Sequence, residues 1–184
     1  MSYLEKLLKN YDGKTLDLRF TQIKNLKRLA DLKDLEKLNL MSTKITDLSV
    51  LAGLKGLKWL DLSHTNITDI SALKGLTGLK SLNLNNTNIM DFTPLAGLED
   101  LERLDLSYTD ITDISDLARL KRLKWLNLRH TNIMDLSALA CLKGLKYLDL
   151  SNTKIKDLSV LARLTGLESL YLIKTNISDI SVLD

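Results

Sequence analysis

Apolar residues recur along this chain on two periods in turn. Between Leu35 and Leu57, Leu38 and Leu40 first alternate with Lys37, Asn39 and Met41. Ile45, Leu48, Leu51, Leu54 and Leu57 then follow at every third position. A period of two predicts a short strand with one buried face. A period of three suits a tight helical or 3₁₀ return path.

This composite pattern repeats. Thr21, Thr43, Thr65, Thr87, Thr109, Thr131, Thr153 and Thr175 stand 22 residues apart each time, without insertion or deletion. The same frame of leucines and isoleucines surrounds each of them. A fixed period of this length is the signature of a solenoid. One 22-residue unit cannot bury its own leucines, whereas stacked units bury them against one another. The predicted fold is an α/β right-handed solenoid, or horseshoe. About eight short parallel strands, ~4.8 Å apart, form the concave face, with short helical or 3₁₀ segments on the convex face. Residues 1–12 read as an N-terminal capping helix, in which Ser2 and Glu5 make a capping box and Leu4, Leu7 and Leu8 an apolar stripe. Residues 13–184 carry the eight copies, the last incomplete.

Local signals mark the ends of each return path. Ser49, Ser71, Thr93, Ser115, Ser137, Ser159 and Ser181 are expected as N-caps, and Pro94 at the first helical position. Gly56, Gly78, Gly144 and Gly166 are expected to make a left-handed turn into the next strand, with Asp34 and Asp100 in the same column.

The run LxxLxLxxTxIxDLSxLxxL resembles the leucine-rich repeat, with Thr where that family usually has Asn or Cys. Its length and its D-[LI]-S-x-L return most resemble the internalin-type repeats and those of the intracellular leucine-rich regulatory subunit of protein phosphatase one. The resemblance covers residues ~13–184. It implies the solenoid and a role in holding other macromolecules; the family is defined by its scaffold and not by one activity. The secretion and disulfide features of internalins are not seen here.

Composition narrows the function classes. Net charge is +3, from 26 basic and 23 acidic residues, a balance that does not point to nucleic acid. One cysteine, Cys141, excludes an internal disulfide and favours a reducing compartment, the cytoplasm or, for an effector, the inside of a host cell. The opening MSYLEKLLKN lacks the features of a signal peptide. No apolar run approaches the ~18 residues of a membrane span, so no membrane association is expected.

Columns that repeat read as architecture, and columns that vary can carry specificity. The near-invariant Asp47, Asp69, Asp91, Asp113, Asp135, Asp157 and Asp179 are expected to accept backbone N–H bonds at their turns. The column Asp17, Asn39, Asp61, Asn83, Asp105, Asn127, Asp149 reads as a solvated ladder on the exposed sheet face, each amide donating to a neighbouring carboxylate. Three further columns vary and are expected on the concave face or its rim. They begin at Thr15, Arg19 and Phe20 and repeat every 22 residues. They gather both tryptophans, both histidines, Tyr108, Tyr147 and three arginines from a chain only 5% aromatic. Trp, Tyr and Arg are the usual hot-spot residues of protein interfaces.

The predicted partner-binding residues are therefore Trp59, Trp125, Tyr147, Tyr108, Arg103, Arg129, His64 and His130. His64 and His130, three repeats or ~14 Å apart, cannot share a metal ion. No cofactor or metal is expected, and no catalytic residue: Cys141 has no base beside it, and no phosphate-binding or zinc motif occurs. Arg119, Lys121, Arg122 and Lys124 read as a solvated convex face. Tyr171 and Ile173 break the last strand's pattern, as an atypical terminal repeat, an end-to-end dimer contact or the edge of a binding patch. The expected function is a non-enzymatic protein-binding module that is monomeric or joined end to end, such as a bacterial effector, inhibitor or regulatory subunit. The alternative is an engineered or consensus-like scaffold with no natural partner.

Overall fold

A computed structural model describes Leu8 and residues 11–181 of the chain. Most of the expected capping helix lies outside the described residues. Leu8 packs against the core, and its carbonyl accepts the Tyr11 N–H at 3.1 Å.

Eight strands of three residues each form one open parallel sheet in chain order. They are β1 (Thr15–Asp17), β2 (Lys37–Asn39), β3 (Trp59–Asp61), β4 (Ser81–Asn83), β5 (Arg103–Asp105), β6 (Trp125–Asn127), β7 (Tyr147–Asp149) and β8 (Ser169–Tyr171). Each residue pairs with the one 22 positions on, as in Leu60↔Leu82 and Trp125↔Tyr147. The central leucine points inward and is buried in β1 to β7. In β8, the edge strand of the sheet, it is half-buried.

The period of three becomes a chain of 3₁₀ bonds. The N–H groups of Leu51, Leu54 and Leu57 donate to the carbonyls of Leu48, Leu51 and Leu54 at 2.8–3.1 Å. Spacing by three puts every leucine of the return path on the core side of a helix with three residues per turn. The recurring threonine closes the strand end. In all eight copies its Oγ1 donates to the leucine carbonyl three residues back, at 2.6–2.8 Å. A shorter side chain thus satisfies a backbone acceptor at the strand end, which at Leu18, Leu40 and Leu172 also takes the threonine's own N–H at 3.2–3.3 Å.

Three expectations fail locally. The serines are not N-caps. Each opens a 3₁₀ segment as its first residue, and the aspartate two positions earlier accepts its N–H, as Asp47 does from Ser49 at 2.8 Å. Carboxylates outcompete hydroxyls here because they are charged acceptors. That bonding holds the carboxyls of Asp47, Asp91, Asp135 and Asp179 below the usual range, backbone N–H donation being the main cause. Pro94 accordingly sits second in its segment, Thr93–Gly97.

The left-handed residue is also elsewhere. Among the described glycines only Gly13 has positive φ. Instead Phe20, Ser42, His64, Asn86, Tyr108, His130, Asn152 and Lys174 all lie at φ 52–59°. The chain turns off the strand in this conformation, not into the next one. Among the described residues no helix is long and apolar enough to cross a membrane.

Candidate protein-binding site

The floor of the sheet face is the Asp/Asn column. From Asp17 to Asp149 each side-chain Oδ1 accepts the N–H two residues on, at 2.8–3.1 Å. Amides also reach across strands: Asn83 donates to Asp61 at 3.0 Å and Asn127 to Asp105 at 3.3 Å. The ladder exists, but it is not solvated throughout. Asp61 and Asp149 are buried, as are Ser63, Ser107 and Ser151 two positions later. The Ser63 and Ser107 hydroxyls donate to the aspartates of their own strands at 2.5 Å. The Arg19 column, expected to be exposed, is thus closed in every copy that pairs Asp with Ser. Short side chains let the turn fold over them.

Above this floor, aromatic and guanidinium groups run across β5 to β8. The Arg103 guanidinium carbon lies 3.4 Å from the Trp125 ring centroid. Trp125 stacks on Tyr147 with centroids 4.9 Å apart and planes 12° apart. Tyr147 meets Tyr171 at 5.2 Å and 40°. In-register pairing puts the first three on neighbouring strands, and Tyr171 joins diagonally from the Asp149 partner position. Cross-strand neighbours at this spacing are the contacts that stabilise sheets.

A second, shorter stack stands on the left-handed rim, where Tyr108 and His130 lie 4.4 Å apart with planes 17° apart. Arg129 is beside them. The Tyr108 hydroxyl raises its pKa first of all, helped by Asp149. Burial pushes the Tyr147 phenol above its usual value, and Asp149 adds to this.

Six of the eight predicted residues are therefore brought together: Arg103, Trp125 and Tyr147 in one stack, Tyr108, His130 and Arg129 at its rim. Trp59 and His64 stand apart. Ser81 separates Trp59 from Arg103 in the register. Trp59 instead borders a small hollow of about 270 Å³ with Thr15, Leu16, Asp17, Lys37 and Asn39. His64 Nδ1 pairs with the Asn86 amide at 2.9 Å. Tyr171 is the residue the column reading left out. Its signal was the break in the terminal strand, where a tyrosine replaces the usual Asp or Asn.

The strand edge next to this face carries ion pairs. Glu36 takes Lys14 and Lys58, each at 2.9 Å, and these bonds hold its carboxyl down to about 2. Glu102 takes Lys124 at 2.7 Å and Lys80 at 3.9 Å, and its pKa is lowered chiefly by Lys124. Arg122 pairs with Asp100 at 3.0 Å. The basic run of the sixth copy is therefore partly neutralised by acids one repeat earlier. Among the described residues no group of three or more His, Cys, Asp or Glu is arranged to hold a metal ion.

Comparison with known proteins agrees with this architecture. A family model described as leucine-rich repeats in two copies matches residues 14–53, 55–97, 121–163 and 143–184. A second leucine-rich-repeat model matches residues 90–133. No curated protein sequence matches the chain. Among solved structures, internalin C2 of Listeria monocytogenes is 38% identical with a TM-score of 0.88, over 92% of this chain and 75% of its own. A second internalin of that organism, inlF, is 34% identical at TM-score 0.82, over 92% and 57%. A leucine-rich-repeat protein of Leptospira interrogans is 27% identical at TM-score 0.72, over 90% and 50%. The chain thus spans between half and three quarters of these relatives. With its repeats matched over most of the sequence and its sheet shared with the internalins, this chain belongs to the leucine-rich repeat family of protein–protein interaction modules.

Proposed function

We propose that the chain is a non-enzymatic binding protein that holds its partner protein on the sheet face at β5 to β8. The observation that carries this is the continuous row Arg103–Trp125–Tyr147–Tyr171, flanked by Tyr108, His130 and Arg129. Aromatic side chains are scarce in this sequence, and with arginine they dominate interface hot spots. Here they are gathered, half-buried or exposed, and held in fixed mutual geometry. Such pre-organisation lowers the entropy lost on binding. Trp59 and His64 lie outside this patch and have no part in the contact.

The test uses immobilised wild-type protein beside Trp125→Asp and Trp59→Asp variants of equal circular dichroism. Each is exposed to lysate, and retained proteins are quantified by mass spectrometry. A partner held by wild type and Trp59→Asp but lost from Trp125→Asp is the expected result. Equal retention on all three moves the site off this face. Retention on none favours the scaffold without a natural partner.

A further inference from the structure

We infer, building on the binding role proposed above, that the β5–β8 face takes an acidic protein loop, with carboxylates on Arg103 and Arg129 and backbone against the edges of Trp125 and Tyr147. Ring geometry gives the first reason. Trp125 lies between Arg103 and Tyr147, and Tyr147 lies between Trp125 and Tyr171. The faces of both rings are therefore occupied from within the chain. Sugars and nucleobases bind such rings by stacking on a free face, and neither ring offers one. The edges remain, and an aromatic edge is the positive part of the ring's quadrupole. It suits carbonyl and carboxylate oxygens.

Charge gives the second reason. Neither Arg103 nor Arg129 forms an ion pair among the described residues. Arg103 is exposed, and its guanidinium is held against the indole. That leaves its N–H groups in a fixed plane, the arrangement that receives a carboxylate through two parallel bonds. The acids of the same face turn inward. Asp149 is 7% exposed and its Oδ1 accepts the Ser151 N–H. Asp105 is half-buried, with Oδ1 on the Ser107 N–H and hydroxyl. An approaching chain meets the cations first.

A phage library of random dodecapeptides, selected at physiological salt on the immobilised full chain, tests this. Wild type is expected to enrich sequences bearing Asp and Glu. An Arg103→Glu/Arg129→Glu variant, which alters only exposed or half-buried side chains, is expected to lose them and enrich Lys and Arg instead. An Arg103→Lys/Arg129→Lys variant keeps the charge but not the fork, and is expected to bind a selected acidic peptide about tenfold more weakly. Peptides without acidic residues, kept by the Glu pair and lost by Trp125→Asp, would overturn the acidic loop while leaving the binding role intact. No enrichment over a Trp125→Asp control would overturn both. A fluorescent single-stranded oligonucleotide that displaces the selected peptides would replace the protein loop by nucleic acid. A dimer seen by light scattering and abolished by the Glu pair would seat a second copy on the patch.

Discussion

The two halves of the sheet face share one scaffold and differ in what they display. Strands β1 to β4 and β5 to β8 have the same length, register and buried leucines, the last strand excepted. In the column that opens each strand, the first half carries Thr15, Lys37, Trp59 and Ser81, and the second Arg103, Trp125, Tyr147 and Ser169. Among the described residues no aromatic or guanidinium group stacks on Trp59, whereas Arg103 and Tyr147 both stack on Trp125. Since the bare half folds on the same plan, the stack is no requirement of folding. The comparison separates display from support within one molecule.

The largest effect should come from support, and should be equal in both halves. Leu60→Ala and Leu126→Ala each empty a fully buried site, and each should cost about 3 kcal/mol in denaturant unfolding. A marked inequality would mean that the halves are not equivalent scaffolds. Display should then differ sharply. Trp125→Ala should weaken partner binding by about 2 kcal/mol or more, the range of a hot spot, while Trp59→Ala changes it little in the same titration. The threonine brackets come next. Thr65→Val and Thr131→Val each leave a buried carbonyl without its hydroxyl, at about 1–2 kcal/mol in both halves by thermal melting.

The smallest effect concerns acid. Glu36 has a lowered folded pKa, so the stability it contributes is present above its unfolded value near 4.5 and is lost as pH falls toward about 2. Glu36→Gln should flatten stability between pH 5 and pH 2. Glu102→Gln should flatten it less, since only one of its two lysines is close.

The repeat, the strands and the leucine ladder were legible because each is a periodicity repeated along the whole stack. Column logic also gathered most of the aromatic patch, since residues 22 apart must be neighbours in a gap-free stack. What escaped depends on bonds that no spacing encodes. The aspartate column accepts turn N–H groups as expected, but that Ser49 then makes no cap of its own is a matter of charge. The burial of Asp61 with Ser63 follows from turn geometry. Strand alternation was carried past the three-residue strands to His64 and Tyr108, where the backbone had already turned left-handed. Tyr171 stayed open between a terminal irregularity, a dimer contact and the edge of a binding patch, because its contact with Tyr147 runs diagonally between columns.

That left-handed row has a consequence for how this molecule can change. An L-residue there strains the backbone by about 1–2 kcal/mol, which glycine escapes. No copy uses glycine. Asn and His tolerate the conformation best, yet Phe20, Ser42, Tyr108 and Lys174 occupy it too. Eight side chains of six kinds are kept upright along one rim where the backbone alone would have preferred none. Sequence drift toward a sturdier fold would erase that rim, and the row behaves as writing that the scaffold tolerates, open to being rewritten one letter per repeat.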